Sequence, residues 1–245
     1  MTIDSNKPIE NSSSPRRRVF LILLFIIPGI LCLAFYYFFI RKPLTTGAPL
    51  FKKLPHYGQA YLADNGKDSV YHKVAPFSFV DQNGKEMSSN TLQGKMYAAN
   101  FFFTTCQTIC PKMATQMFRI QDKLHYLSKE FQMVSFTVNP EYDTPEILNR
   151  YAKEVHADPS IWNFGTGAKK DLYEAARKGF LVNADEGDGG PDDFVHSELV
   201  VLIDKEGCIR GFYDGTSLKE MDRLADEVVV LAAEYGNFKN NLKGE

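Results

Sequence analysis

Two cysteines, Cys106 and Cys110, are the residues whose type and spacing most clearly predict chemistry in this sequence. Pro111 follows the second one; proline disfavours helical geometry in the residue before it and suits the first turn of a helix. Both sulfurs should therefore lie on a loop that enters a helix N-terminus, where the helix dipole and free N–H groups stabilise thiolates. Such thiolates bind metals or exchange disulfides. The pair alone does not separate these two functions, nor does it exclude a plain packing role or an inert disulfide.

A third candidate ligand comes from the histidines. His196 begins a predicted strand, which in a sheet of this type lies beside the strand that ends at Phe103, so its start faces the cysteine loop. Two thiolates and one imidazole form a soft, three-coordinate set that suits Cu(I), and the imidazole also accommodates Cu(II). Zinc normally has a fourth ligand. We therefore predict a copper site formed by Cys106, Cys110 and His196, with the two cysteines as a redox-active pair.

Hydrophobic periodicity predicts the elements that position these residues. Met96–Phe103 is apolar enough to be a central strand buried on both faces. After the cysteines, an apolar stripe at helical spacing from Met113 to Phe131 predicts a helix that lies on the sheet. The other predicted strands are Val74–Val80, Met133–Val138, Val195–Ile203 and Cys208–Tyr213, with a short apolar segment at Ile161–Phe164 that is given no element type. The other predicted helices are Pro145–Val155, Lys169–Lys178 and Leu218–Tyr235. The fold class is therefore α/β, a mixed sheet with helices on both faces that closes with an antiparallel hairpin.

The N-terminal part of the sequence predicts a membrane anchor. Residues 19–40 carry no charge, and at about 1.5 Å per residue a helix of this length spans the hydrocarbon core of a bilayer. A buried core helix and a cleaved signal peptide are the alternatives, but the stretch is long and ends without a small-residue cleavage site. We predict a cytoplasmic tail over 1–18, a transmembrane anchor over 19–40, a tether over 41–72 and a folded domain over 73–245.

Charge and composition narrow the partners and the location. The chain has 245 residues with a formal net charge of -2 and no basic stripe, which gives no reason to expect nucleic acid as a partner. The arginines at 16–18 resemble the positive region of an export signal and favour a cytoplasmic N-terminus. Because no Arg-rich and Ser-rich transit peptide precedes the anchor, we expect the bacterial inner membrane with the domain in the periplasm. The mitochondrial intermembrane space is the alternative.

From about Lys73 to Tyr235, the sequence resembles the Sco (SenC) family of copper chaperones for cytochrome c oxidase assembly. Three segments carry the resemblance, in the order and at the intervals of the family. They are FFTTCQTICP at 102–111, SFTVNPEYDTP at 135–145 and HSELVVLID at 196–204. The resemblance implies a thioredoxin-like fold, copper ligation by Cys106, Cys110 and His196, and delivery of copper to the dinuclear copper A site of oxidase subunit II.

Two positions depart from the family pattern. Gln107 follows the first cysteine where family members often have Pro, and Val195 precedes the histidine where they often have Asp. Neither removes a ligand, but both stand directly beside one, where hydrogen-bonding groups tune metal affinity. The acidic stretch 185–193 is interpreted as a solvated loop in preference to a calcium site or a docking surface, and Cys208 as a packing residue.

Two functional hypotheses use these residues. The first is a copper metallochaperone, which binds and delivers the metal and is not a turnover enzyme. The second is a thiol-disulfide oxidoreductase that keeps the copper-site cysteines of the oxidase reduced; His196 discriminates between them, because disulfide exchange does not require it. A peroxiredoxin-type peroxidase ranks third, because Ala99 and Phe103 stand where such enzymes have Pro and Thr upstream of the reactive cysteine. A copper-sensing or redox-sensing role would use the same three ligands.

Overall fold

The computed structural model of the protein describes residues 26–36, 53–62, 69–182 and 197–236. The chain divides into two compact units, Met1–Lys52 and Lys53–Glu245. In the first unit, residues 26–35 form an α-helix. None of the helices in the described part of the chain has the length and apolarity needed to cross a membrane. The remainder of the predicted anchor 19–40 lies outside the described residues, so the anchor stays a prediction.

The second unit alternates strands and helices, as the periodicity predicts. Its strands are β1 (Ala60–Leu62), β2 (Ser69–Tyr71), β3 (Ser78–Asp81), β4 (Glu86–Ser88), β5 (Met96–Phe102), β6 (Phe131–Thr137), β7 (Trp162–Thr166), β8 (Leu199–Ile203) and β9 (Ile209–Asp214). Its α-helices are α1 (Cys110–Leu124), α2 (Pro145–Glu154), α3 (Lys169–Glu174) and α4 (Leu218–Glu234). A proline stands in the first turn of α1 and of α2, where its missing N–H has no partner to lose.

Seven strands form one mixed sheet, in the order β4-β3-β7-β6-β5-β8-β9. The central strands β5, β6 and β7 are parallel neighbours, whereas β8 runs antiparallel to β5 and β9 antiparallel to β8. The carboxyl ends of β5 and β6 therefore meet at one end of the sheet, together with the start of β8. The end of β8 and the turn into β9 lie at the opposite end. This arrangement separates the two ends of the sheet by the length of β5, roughly 20 Å at about 3.3 Å per residue.

Both faces of the sheet are covered. One apolar core joins alternate residues of β5 to Met113 of α1, Leu148 of α2 and Leu224 of α4. A second core joins the other alternate residues of β5 to Leu172 of α3 and to the π-helical turn Ala175–Gly179. All seven residues of β5 are buried as a result. The predicted α/β class, with helices on both faces of a mixed sheet, is confirmed.

The predicted helix from Met113 to Phe131 is wrong in its last part. The α-helix ends at Leu124, a 3₁₀ turn follows at His125–Leu127, and Phe131 begins β6 opposite Met96. Phe131 is fully buried in the sheet, so its apolar character comes from a strand that is covered on both faces. Phe131 falls on the spacing of the helix's apolar residues by coincidence, because it belongs to β6 and not to the helix.

Two other boundaries differ from prediction for local reasons. The predicted strand Val74–Val80 joins a β-ladder only from Ser78 onward, because Pro76 has no N–H to contribute to a ladder. Before Pro76, the Val74 amide makes a single bond to the Gly207 carbonyl at 2.9 Å. The predicted helix Lys169–Lys178 changes at Ala175 into a π-helical turn that ends at Gly179. The predicted C-terminal hairpin is confirmed as β8 and β9, whereas residues 195 and 196 lie outside the described residues.

The second unit begins at Lys53, within the segment predicted as a tether. The Leu54 amide donates to Glu234 Oε1 at 2.7 Å, and Arg210 donates to the Leu54 carbonyl at 2.7 Å. A two-stranded antiparallel pair, β1 and β2, follows before residue 73. The chain is thus fixed against α4 and β9 at the end of the sheet that lies away from the cysteine loop.

Candidate metal and redox site

The cysteine loop joins the end of β5 to the start of α1. The Cys106 amide donates to the Phe103 carbonyl at 3.2 Å, which closes a turn directly after the strand. Cys110 is the first residue of α1, and Pro111 follows it in the first turn. Cys106 is half-buried, Cys110 is buried, and both thiols are free. The predicted placement of both cysteines at a helix N-terminus is confirmed.

Hydrogen bonds around Cys106 favour its thiolate. Partial burial of Cys106 opposes ionisation, but hydrogen bonds from the thiol and backbone of Cys110 and from the backbone and hydroxyl of Thr108 outweigh it. Together they lower the pKa of Cys106 to about 7. The Thr108 hydroxyl lies 3.7 Å from Cys106 Sγ. Near neutral pH, about half of Cys106 is therefore a thiolate, the form that binds metals and attacks disulfides.

Cys110 has the opposite character. Burial, followed by the hydrogen bond that its thiol gives to Cys106, raises the pKa of Cys110 to about 12. The neutral Cys110 thiol thus acts as a donor to the Cys106 thiolate. The two thiols therefore differ in exposure and in proton affinity. This gives the pair one reactive, reachable sulfur and one enclosed sulfur.

Asp143 braces the strand end from which the loop departs. It is fully buried in the loop after β6. Its carboxylate accepts the Thr104 amide at 3.1 Å and the hydroxyls of Thr104 and Thr137. These bonds join the chain after β5 to the chain after β6, so the cysteine loop starts from a fixed position. All three donors of Asp143 are neutral groups.

Tyr151 of α2 stands behind the cysteines. Its ring stacks on Phe102, with ring centroids 5.1 Å apart, and it lines a small internal space with Cys110. Burial, and then negative charge on the two cysteines, raises the pKa of Tyr151. Tyr151 therefore remains a neutral phenol beside the thiols. On the same side, Trp162 Nε1 donates to Ser135 Oγ, which in turn donates to Asn100 Oδ1 at 2.6 Å.

His196, the third predicted ligand, lies outside the described residues. The chain that follows it is placed by β8, in which Val200 pairs with Asn100 of β5. The Glu198 carbonyl accepts the Gly215 amide at 2.7 Å, and Gly215 lies against Met113 in the first turn of α1. The residues directly after His196 therefore run beside the start of α1. Ligation by Cys106, Cys110 and His196 together stays a prediction, as does the solvated loop at 185–193.

Sequence reasoning missed three contributors to this site. Asp143 lies in a segment that was recognised as a motif, but nothing in the local sequence connects it to Thr104, which is 39 residues away. For Tyr151, the sequence showed only an aromatic residue on the apolar face of a helix, which does not indicate a place beside the cysteines. Thr108 had a weak one, since a hydroxyl two residues after a cysteine can hydrogen-bond locally.

Comparison with known proteins gives one consistent result. The SCO1/SenC family model matches residues 65–232, which cover the cysteine loop, the braced loop after β6 and the C-terminal hairpin. The SCO1 protein homolog of Bacillus subtilis is 33% identical over 165 residues, which span 66% of this chain and 84% of that protein.

Two solved structures share the fold and add chemical information about relatives. BsSco, a member of the Sco family of cytochrome c oxidase assembly proteins in which a disulfide switch was identified, has a TM-score of 0.57 and 31% identity. The match covers 66% of this chain and 94% of that one. ScoI of Arabidopsis thaliana was crystallised with copper bound; it has a TM-score of 0.54 and 28% identity, over 66% of this chain and 98% of that one.

Proposed function

Since the chain belongs to the SCO1/SenC family, we propose that it is a copper metallochaperone that holds Cu(I) or Cu(II) through Cys106, Cys110 and His196. The observation that carries the proposal is the pair of free cysteines at the N-terminus of α1, one partly exposed and one buried, whose thiols shift each other's pKa in opposite directions. Relatives that share this fold include a copper-bound protein and a cytochrome c oxidase assembly protein. Copper is the cargo of such a protein rather than its resident cofactor.

The described residues fit a soft metal ion. Two sulfur donors are the ligands that Cu(I) prefers, and an imidazole completes a three-coordinate set. Asp143, a buried carboxylate in the loop after β6, is turned towards Thr104 and Thr137, which donate to both of its oxygens. Burial of Cys110 shields one side of the pair from water, whereas partial exposure of Cys106 leaves a side from which a partner can approach.

Binding and delivery need only proton movements and ligand exchange. When Cu(I) binds, the Cys110 thiol and the protonated fraction of Cys106 each release a proton. In delivery, a partner thiolate binds the copper as the more exposed Cys106 lets it go, and Cys110 follows. The released Cys110 then takes up a proton, and Cys106 returns to its mixture of thiol and thiolate. No electron is transferred in this sequence, so the oxidation state of the copper is kept.

The proposed partner is subunit II of cytochrome c oxidase, whose copper A cysteines would receive the metal. We place the domain on the periplasmic side of a bacterial inner membrane, anchored by residues 19–40. One feature of the domain supports this arrangement. Leu54 and Pro55, where the described chain enters the domain, are fixed by Arg210 at the end of the sheet away from Cys106. Within the domain, the cysteine loop therefore lies at the end of the sheet opposite Leu54 and Pro55.

A thiol-disulfide oxidoreductase is the second candidate, and the unequal thiols favour it. The Cys106 thiolate would attack a partner disulfide, form a mixed disulfide and displace one partner thiolate. Cys110, after losing its proton, would attack the Cys106 sulfur and displace the second partner thiolate. The partner gains two electrons, and Cys106 and Cys110 end as a disulfide. The disulfide switch identified in the related BsSco is chemistry of the same kind.

The test is an anaerobic titration of the reduced full chain with Cu(I) against a chromophoric chelator. We expect one tightly bound copper per chain and an affinity at least a hundredfold lower in Cys106→Ser, Cys110→Ser and His196→Ala. Cys208→Ser and His125→Ala are matched controls and should bind as the unaltered chain does. The metallochaperone is ruled out if copper binding is weak or if His196→Ala has no effect. Reduction of a disulfide in the copper A domain would then support the oxidoreductase.

A further inference from the structure

A second group of potential metal ligands lies at the end of the sheet opposite the cysteine loop. The nearest ligand atoms of His56, Asp204 and Cys208 all lie within 4.8 Å of one another. Asp204 directly follows β8, whose last residue Ile203 pairs with Tyr97 near the start of β5. Cys106 instead follows the end of β5, so the two sites are roughly 20 Å apart.

The turn between β8 and β9 fixes two of the three residues. The Asp204 amide donates to the Cys208 carbonyl at 2.9 Å, and the Gly207 amide donates to the Asp204 carbonyl at 3.1 Å. Gly207 has a φ of +84°, a conformation that glycine adopts without strain and that closes this short turn. Asp204 and Cys208 thus stand at the two ends of one tight hairpin.

The Asp204 carboxylate is oriented with one oxygen towards His56. Its Oδ1 accepts the amides of Cys208 at 2.8 Å and Glu206 at 3.1 Å. Its Oδ2 accepts from Arg210 at 3.1 Å and lies 3.9 Å from His56 Nε2. A carboxylate oxygen has two lone pairs, so Oδ2 keeps one for a further partner. The hydrogen bonds hold the carboxylate in place, as supporting groups do around metal ligands.

His56 is held although it comes from a loop segment. Arg210 donates to the Pro55 carbonyl at 3.1 Å and to the Leu54 carbonyl at 2.7 Å, which fixes the backbone just before His56. The imidazole stacks on Tyr71, with ring centroids 3.9 Å apart and an interplanar angle of 9°. Both the position and the plane of the imidazole are therefore set before any ligand binds.

An open cleft of about 450 Å³ gives access to the cluster, and all three residues line it. Its buried charge is on balance negative, because Arg210 is shared between two carboxylates, Asp204 and Glu234. Lys53 and Lys73 also line the cleft, but both are exposed and are screened by solvent. A cation that enters the cleft therefore meets one uncompensated buried carboxylate charge and a thiol.

We propose that His56, Asp204 and Cys208 form a site for one divalent transition-metal ion of the Zn(II) class. One nitrogen, one oxygen and one sulfur, with water in the fourth position, is a ligand set that Zn(II) accepts. Ca(II) and Mg(II) prefer oxygen ligands, and the carboxylate is unsuited to Cu(I). On binding, the Cys208 thiol gives up its proton and forms the metal–sulfur bond. The bound ion would link the segment at His56 to the hairpin between β8 and β9. This site does not depend on the copper function proposed above.

The test uses the full chain with Cys32, Cys106 and Cys110 replaced by serine, which leaves Cys208 as the only thiol of the four cysteines. Co(II) serves as the probe, because a cobalt–thiolate bond gives a charge-transfer band in the near ultraviolet. We expect one equivalent of Co(II) to produce this band and Zn(II) to displace it. His56→Ala should weaken Co(II) binding at least tenfold, and Cys208→Ser should abolish the band.

A matched histidine control separates this site from surface binding. His125 pairs with Asp158 on the surface at 3.0 Å, and His125→Ala in the same background should leave the band and the affinity unchanged. The proposal is overturned if Co(II) gives no thiolate band, or if the band survives His56→Ala at full affinity. Circular dichroism of each variant verifies that the fold is intact. Because all variants lack Cys106 and Cys110, either result leaves the copper proposal untouched.

Discussion

The two ends of the central sheet each combine a cysteine with a buried carboxylate, but they surround the thiol differently. At one end, Asp143 accepts only neutral donors and acts at a distance, through the strand end that starts the cysteine loop. At the other end, Asp204 is paired with Arg210 and lies directly beside Cys208. Both carboxylates accept backbone amides, but among the described residues only the second one has an oxygen within 4.8 Å of a cysteine sulfur and a histidine nitrogen.

The pKa values of the two thiols move in opposite directions. Hydrogen-bond donors from Thr108 and Cys110 lower the pKa of Cys106 to about 7 in spite of its partial burial. Burial, and then the negative charge of Asp204, raises the pKa of Cys208. Donors around a sulfur make it reactive, and a neighbouring carboxylate keeps it protonated until a metal ion replaces the proton. Neither pKa shift could be predicted from the cysteine residue alone, because both come from the groups around it.

The largest effect is expected from breaking the buried charge network at the Asp204 end. Arg210→Ala leaves Asp204 and Glu234 without their cation and removes the donors to Leu54 and Pro55. We expect a loss of about 3–5 kcal/mol of unfolding free energy, because Asp204 is left buried and uncompensated and the partly buried Glu234 also loses its cation. Urea unfolding, followed by the fluorescence of the single tryptophan, measures it. Arg119→Ala, which breaks a half-exposed pair with Asp222, is the control and should change little.

At the other end, Asp143→Ala is expected to destabilise somewhat less, by about 2–3 kcal/mol. It removes no ion pair, but it leaves the part-buried Thr104 amide and the hydroxyls of Thr104 and Thr137 without their acceptor. The same urea experiment measures the change, and Thr137→Val, which removes only one of the three donors, should lie between the variant and the unaltered chain. An unchanged unfolding midpoint for Asp143→Ala would show that the carboxylate does not brace the loop.

Elements that are determined by neighbouring residues could be predicted from the sequence. The strand Met96–Phe102 and the helix that starts at Cys110 are set by local patterns, an uninterrupted apolar run and a cysteine-proline pair, so both could be predicted. The place of Cys106 and Cys110 at a helix N-terminus follows directly from those two elements. The same local logic failed at Phe131, where a buried strand residue happened to fall on the helical spacing.

The groups that tune the thiols could not be predicted, because they meet only through the sheet. Asp143 reaches Thr104 since parallel β5 and β6 end side by side. Cys208 reads as a packing residue in the sequence, and its burial agrees with that reading. The sequence does not show that His56 and Asp204 lie beside Cys208. In the structure, Arg210 brings His56 there by holding the carbonyls of Leu54 and Pro55. Tertiary contacts of this kind leave no periodic signal.

Alkylation rates compare the two thiols directly. In the reduced, metal-free chain at pH 7, we expect iodoacetamide to modify Cys106 roughly a hundredfold faster than Cys208, because the thiolate reacts and Cys208 is both protonated and buried. The pKa of Cys106 is lowered, so its rate should rise with pH to a midpoint near 7 and level off above it. Peptide mass spectrometry at a series of pH values follows both sites. Equal rates at pH 7 would contradict the proposed difference between the two ends.

The smallest effect tests a single donor at the cysteine loop. Thr108→Val removes the hydroxyl that lies 3.7 Å from Cys106 Sγ but keeps the backbone of residue 108 and a side chain of the same shape. Because that hydroxyl is only one of several donors, the pKa of Cys106 should move upward slightly and alkylation at pH 7 should slow by about two- to threefold. Above the pKa, where the thiolate is fully formed in both proteins, the two rates should converge. A rate that is lower by the same factor at every pH would instead mean that the substitution changed access to the sulfur rather than its proton affinity.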